Sequence, residues 1–185
     1  MPTHVALLRG INLGSHKRVA MPALRALVES MGHTDVSTYI ASGNLVFTAG
    51  DDRAALAGDL EKAIASELGV TCRVVVLTCD ELARAAADNP YPDEPDPKRV
   101  HAFFLMDEAG PEAHAHVAKA QDRAAAKGSR DEATVVGRVL YLHTPDGFGR
   151  SELAAELSKD AKKNPAAGTA RNWATVTKLL AMCEA

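Results

Sequence analysis

The chain alternates short apolar runs with segments whose hydrophobic positions recur every three or four residues. His4 to Leu8 is a strand-like run. Met21, Leu24, Leu27, Val28 and Met31 share one helical face, with Pro22 at an early position and Gly32 as a stop. Val36 to Ala41 and Asn44 to Thr48 are β-branched and aromatic runs joined by Ser42-Gly43, a hairpin pattern. Asp51 or Asp52 can cap a second helix lined by Leu56, Leu60, Ile64 and Leu68 and ended by Gly69. Cys72 to Leu77 is apolar apart from Arg73, which predicts a strand in the centre of a sheet. With right-handed crossovers, this β-α-β-β-α-β order is a ferredoxin-like plait, four antiparallel strands with two helices on one face.

A short helix over Asp80–Ala87 leads into NPYPDEPDPKR, where Pro90, Pro92, Pro95 and Pro97 forbid a helix or a ladder. This predicts an exposed, stiff, acidic linker. Beyond it, Val100–Met106 reads as a strand and Pro111–Lys127 as a helix. Ala133–Arg138 and Val139–Thr144 read as strands, and Gly149–Lys162 as a helix. That is β-α-β-β-α, a truncated plait-like subdomain without its last strand. A C-terminal helix over Arg171–Cys183, with Val176, Leu179, Leu180 and Cys183 on its apolar face, stands where that strand is expected. The expected organisation is therefore an α+β fold in three parts. Residues 1–79 form the ferredoxin-like subdomain and 80–98 the short helix and linker. Residues 99–185 form a second subdomain whose terminal helix packs back on the first.

Composition narrows the class. Length and apolar content suit a soluble domain with a real core, and no apolar run approaches the roughly 18 residues of a membrane helix. Val5 to Leu8 is too short for a signal-peptide core, so a cytoplasmic location is expected. Cys72, Cys79 and Cys183 are odd in number and lack zinc or CxxC spacing, in keeping with that location. Charge is unevenly spread. Met1–Val28 carries Arg9, Lys17, Arg18 and Arg25 with no acid, and Lys159–Lys178 carries Lys159, Lys162, Lys163, Arg171 and Lys178 against Asp160 alone. Each segment is +4, so a chain of net charge −3 leaves −11 for the rest. Two basic segments on an acidic bulk can hold one anionic ligand where they meet.

RGINLGSHKRVAM, between the first strand and the first helix, is the main candidate. Such a loop can cradle an anion on backbone N–H groups and a helix N-terminus. Gly10 and Gly14 allow close approach, Arg9, Lys17 and Arg18 supply charge, and Asn12 and Ser15 supply hydrogen bonds. The loop matches neither a Walker A motif nor a dinucleotide fingerprint. Ser42 and Asn44 flank a hairpin tip whose Gly and Asn suit a tight turn, and the topology lets them border the same site. In TARNWATVTK, Thr169 or Asn172 can cap the last helix, Arg171 adds charge and Trp173 offers a stacking face or a core anchor. His114 and His116 diverge on a helix, His101 and His143 stand alone, and no metal or cofactor is expected. No catalytic residues can be assigned.

RGINLGSHKRVAMPALR, VSTYIASGNLVF and TARNWATVTKL together resemble the DUF1697 proteins, a bacterial family of unknown function. The resemblance implies an α+β fold and a bacterial origin, and it supplies no catalytic residues. Ser15 stands where the family usually has a second glycine. The leading expectation is a module that binds a phosphate-bearing ligand, a nucleotide or nucleic acid, through a basic groove formed by Arg9, Lys17 and Arg18 with Arg171 and its neighbours. The alternatives are an enzyme on a small anionic substrate and a structural protein that dimerises through sheet edges. The chain is expected as a monomer or homodimer without a membrane partner.

Overall fold

All five residues of β1 (His4–Leu8) are buried, because apolar side chains on both faces of this strand leave water. The computed structural model describes residues 1–50, 52–159 and 168–185. These form a mixed α+β protein with two antiparallel four-stranded sheets and, among the described residues, six α-helices. Two compact units divide the chain, residues 1–86 with 177–185 and residues 87–176.

In the first unit β1 is followed by α1 (Met21–Ser30), β2 (Thr34–Tyr39), β3 (Asn44–Thr48), α2 (Arg53–Leu68), β4 (Val74–Thr78) and α3 (Cys79–Ala87). The strand order is β2-β3-β1-β4 with every pair antiparallel. Leu24, Leu27 and Val28 of α1 and Leu56, Leu60 and Ile64 of α2 bury the helical faces that the spacing predicts, against Ala6, Leu8, Leu45, Phe47 and Val76. Each such side chain contributes about 1.5–3 kcal/mol on burial. Gly69 ends α2 in the left-handed region at φ 67°. The proposed cap Asp51 lies outside the described residues, and Asp52 occupies the N-cap without a side-chain hydrogen bond.

The expected central place of the Cys72–Leu77 strand is not observed. The apolar β4 is an edge strand, paired only with β1 among the described residues. Its uninterrupted apolar run reflects burial of both faces, not a central place in the sheet. A disulfide is also present. Cys79, at the start of α3, and Cys183 are joined by a disulfide across 104 residues of sequence, while Cys72 is free and buried.

The second unit contains β5 (Val100–Leu105), α4 (Pro111–Ala126), β6 (Glu132–Val136), β7 (Val139–His143), a 3-10 turn at Phe148–Arg150, α5 (Glu152–Lys159) and β8 (Gly168–Asn172). The final helix α6 (Trp173–Cys183) begins immediately after β8. The second sheet runs β6-β7-β5-β8. It is therefore not truncated, because β8 pairs antiparallel with β5 along Gly168–Asn172 and supplies the strand thought to be missing. A Cβ on Gly168 would lie 2.5 Å from the Phe104 carbonyl oxygen, so the pairing needs glycine there. The predicted helix from Gly149 starts later, at Glu152. Ser151 Oγ accepts from Ala154 N–H at 2.9 Å and donates to Asp131 at 2.8 Å, which fixes the cap. The predicted end of that helix at Lys162, with Asp160 and Lys163, lies outside the described residues.

The Asn89–Arg99 stretch is exposed or half-buried throughout and is held by specific contacts. Glu94 accepts from His143 Nε2 at 2.7 Å, Tyr91 stacks on His143 with centroids 5.0 Å apart, and Trp173 N–H donates to the Pro97 carbonyl. The prolines exclude regular structure but not side-chain contacts. On α5, Glu156 is 2 % exposed and meets Lys127 at 2.7 Å, Lys159 at 2.6 Å and Arg123 at 3.9 Å. Hydrogen bonds from Lys127 and Lys159 hold its carboxyl down at about 2, and Asp146 and Glu94 are lowered as well. A depressed carboxyl stabilises the fold above its unfolded value and loses that contribution as pH falls toward the folded one. Acid unfolding followed by Trp173 fluorescence is expected to develop as pH falls from about 4.5 toward 2, and Glu156→Gln to flatten that limb. An identical profile in the variant would show that this cluster does not set acid stability.

Candidate functional site

The loop between β1 and α1 is a built structure. Ile11 and Val19 are buried in the core of the first unit, so the chain is pinned at both ends of an exposed arc from Leu13 to Arg18. Asn12 closes that arc. Its Nδ2 donates to the carbonyls of Val19 at 2.9 Å and Ala41 at 2.7 Å, and its Oδ1 accepts from Val19 N–H at 2.9 Å. Gly10, Asn12, Gly14 and Lys17 have φ between 51° and 65°. These positive φ values bend the loop into a tight arc, and the Asn12 N–H donates across it to the Lys17 carbonyl at 3.0 Å.

The hairpin tip abuts the loop. Leu8 N–H donates to the Gly43 carbonyl at 2.8 Å. Gly43 sits at φ 80°, and a Cβ there would lie 2.7 Å from Ile11 Cδ1 and 2.8 Å from Leu8 Cβ. Only glycine permits so close an approach. Asn44 is fully buried and donates through Nδ2 to the Tyr39 carbonyl and to Ser42 Oγ, both at 2.9 Å. Asn12, Ser42 and Asn44 thus build the platform, and Arg9, Gly10, Gly14, Ser15, Lys17 and Arg18 form its exposed side.

Arg9, Lys17 and Arg18 have no ion-pair partner among the described residues. Arg9 N–H donates to the Arg73 carbonyl at 2.9 Å, which adds the start of β4 to the neighbourhood. Arg73 is paired with Glu61 at 3.3 Å. Burial and Glu61 push the Cys72 thiol up, and the Lys17 charge opposes them. Two apolar side chains escaped the sequence reading. Leu13 is 70 % exposed, and Ile40 is 50 % exposed with φ 48°. A β-branched residue in the left-handed region is strained, and such strain concentrates at functional surfaces. The sequence offered no signal for Ile40, which read as strand.

Arg171, Asn172 and Trp173 belong to the other compact unit. Arg171 is 7 % exposed and donates to Thr169 Oγ1 and the Ala170 carbonyl, both at 2.8 Å. Burial pulls its guanidinium down to about 10. Asn172 is the cap of α6, accepting from Thr175 N–H and Oγ1 at 2.9 Å. Trp173 is half-buried and its ring is tilted against Tyr141 with centroids 6.3 Å apart. No group of three or more His, Cys, Asp or Glu among the described residues is placed to hold a metal ion. No helix among them is long and apolar enough to cross a membrane.

A conserved bacterial protein, SP0830 of Streptococcus pneumoniae, has a similar solved structure, with a TM-score of 0.69, 22 % identity and 98 % of each chain covered. That likeness supports the fold alone. No curated protein matches the chain. The family model described as "Protein of unknown function (DUF1697)" matches residues 1–141, which include the loop and the hairpin but end before Thr169–Leu179. With the two N-terminal motifs and most of its length inside that match, the chain belongs to the DUF1697 family.

Proposed function

We propose that this protein is a binding module, a monomer or homodimer, whose β1–α1 loop takes a phosphate-bearing ligand, a nucleotide or nucleic acid. The observation that carries this reading is the coincidence of three cations without ion-pair partners with a left-handed loop locked by Asn12. Solvated arginines and lysines are common. Lys17 and Arg18 on a preorganised arc, with Arg9 at the start of the same acid-free loop, make a receptor for negative charge. The reading rests on the first unit alone. Both units are further proposed to be ferredoxin-like plaits, since each runs β-α-β-β-α-β and orders its four antiparallel strands second-third-first-fourth. Plaits frequently present nucleic-acid surfaces, which favours this ligand class by analogy.

Titration of the full chain with ATP and with a mixed single-stranded oligonucleotide across a salt series tests it. Binding at low salt is expected, and three phosphate contacts give a log–log slope of about −2 for a single strand. Arg9→Glu, Lys17→Glu and Arg18→Glu combined are expected to weaken binding by at least about 100-fold, since each reversal replaces an attraction by a repulsion. ATP binding without oligonucleotide binding selects the nucleotide. Absence of both at low salt removes the proposal.

A further inference from the structure

The second unit holds an open cleft of about 630 Å³, within the range of small-molecule sites. His101 on β5 and Asn172 on β8 are direct cross-strand partners in it. The ring of Phe148 stacks on His101, centroids 4.2 Å apart and planes 30° apart, and Phe148 is 39 % exposed. One wall is therefore aromatic. Lys98 and Arg99 line the same cleft.

Three polar groups there are unused. His101 Nδ1 is buried without a hydrogen-bond partner, and a buried polar atom in that state asks for a ligand or a water. Asn172 spends its oxygen on capping α6, which leaves its NH2 without a partner among the described residues. Lys98 has no ion pair among the described residues, whereas Arg99 is loosely held by Asp96 at 3.7 Å and Glu94 at 3.8 Å. Burial pushes His101 down to about 4, so at neutral pH the ring is an uncharged hydrogen-bonding group. The lining cations Lys98 and Arg99 are balanced by the lining carboxylates Asp96 and Asp146, the latter paired with Arg130. A balanced wall gives little net attraction that grows with ligand charge, and phosphate in addition has no ring to lie against Phe148.

We propose that this cleft binds a small, flat monoanion, an aromatic or conjugated carboxylate, with Lys98 and Arg99 at its charge, the Asn172 amide and His101 imidazole hydrogen-bonding it, and Phe148 against its ring. The site is independent of the β1–α1 loop and stands whether or not that loop binds phosphate.

Sodium benzoate is the probe, followed by NMR of the full chain at the His101 imidazole and the Asn172 side-chain amide. Saturable shifts at both groups are expected with a dissociation constant on the order of 1 mM, as suits a ligand of so few atoms. Phe148→Leu, which keeps bulk without the flat ring, and Lys98→Ala are each expected to weaken binding at least about 5-fold, the latter with the thermal midpoint unchanged. Cyclohexanecarboxylate is expected to bind more weakly than benzoate, and inorganic phosphate more weakly still. No saturable shift, equal affinity in both variants, or phosphate binding as tight as benzoate would overturn the proposal. Equal affinity for the saturated ring would overturn its flatness requirement.

Discussion

Reduction of the Cys79–Cys183 bond is expected to lower stability by about 2–5 kcal/mol and the thermal midpoint by roughly 5–15 °C. The two cysteines are 104 residues apart, so the bond closes a loop long enough to remove much of the unfolded chain's freedom. The double variant Cys79→Ser with Cys183→Ser is expected to reproduce the loss without reductant. Cys72 does not compete for either partner, because it is buried and its thiol is pushed up, away from the reactive thiolate form. Calorimetry with and without dithiothreitol, alongside thiol titration under denaturing conditions, measures both halves of the claim. Coincident midpoints would show that the bond constrains nothing.

Asn12→Ala is expected to cost about 2–4 kcal/mol of local stability. Three hydrogen bonds at about 1 kcal/mol net disappear. A further 1 kcal/mol or so comes from placing alanine where asparagine sits at φ 53°. Asn12→Asp keeps the acceptor for Val19 N–H and loses both donations, so it falls between. Hydrogen exchange at Val19 and Leu8 is the direct measurement, since Asn12 itself holds the Val19 amide and the hairpin that Asn12 also binds holds the Leu8 amide. Unchanged protection in the alanine variant would mean that Ile11 and Val19 hold the loop without its asparagine. If the loop binds phosphate, the alanine variant also loses affinity with all three cations still in place, because they are no longer preorganised.

Much of the fold is legible because it is written in periodicity. The spacing of Leu24, Leu27 and Val28, and of Leu56, Leu60 and Ile64, places both helices of the first unit on their cores. β8 is illegible for the converse reason. Gly168–Asn172 reads GTARN, with no apolar alternation, and becomes a strand through its pairing with β5. The disulfide leaves no local trace either, since its cysteines meet through tertiary structure. At the candidate site, an acid-free loop was visible from charge, and the hairpin's approach followed from topology. Arg171 shows the limit. A basic residue in sequence carries no mark that distinguishes a solvated guanidinium from one buried against Thr169 and Ala170.

The first unit draws on residues 1–86 and again on 177–185. On the ribosome, its opening segments emerge about ninety residues before the stretch that completes it, a wait on the order of 5–20 s at ordinary elongation rates. The second unit is the one continuous stretch 87–176, so it is synthesised in full before residues 177–185 of the first unit appear. Cotranslational maturation of this chain therefore finishes where it started, with the earliest-made half the last to reach its final form.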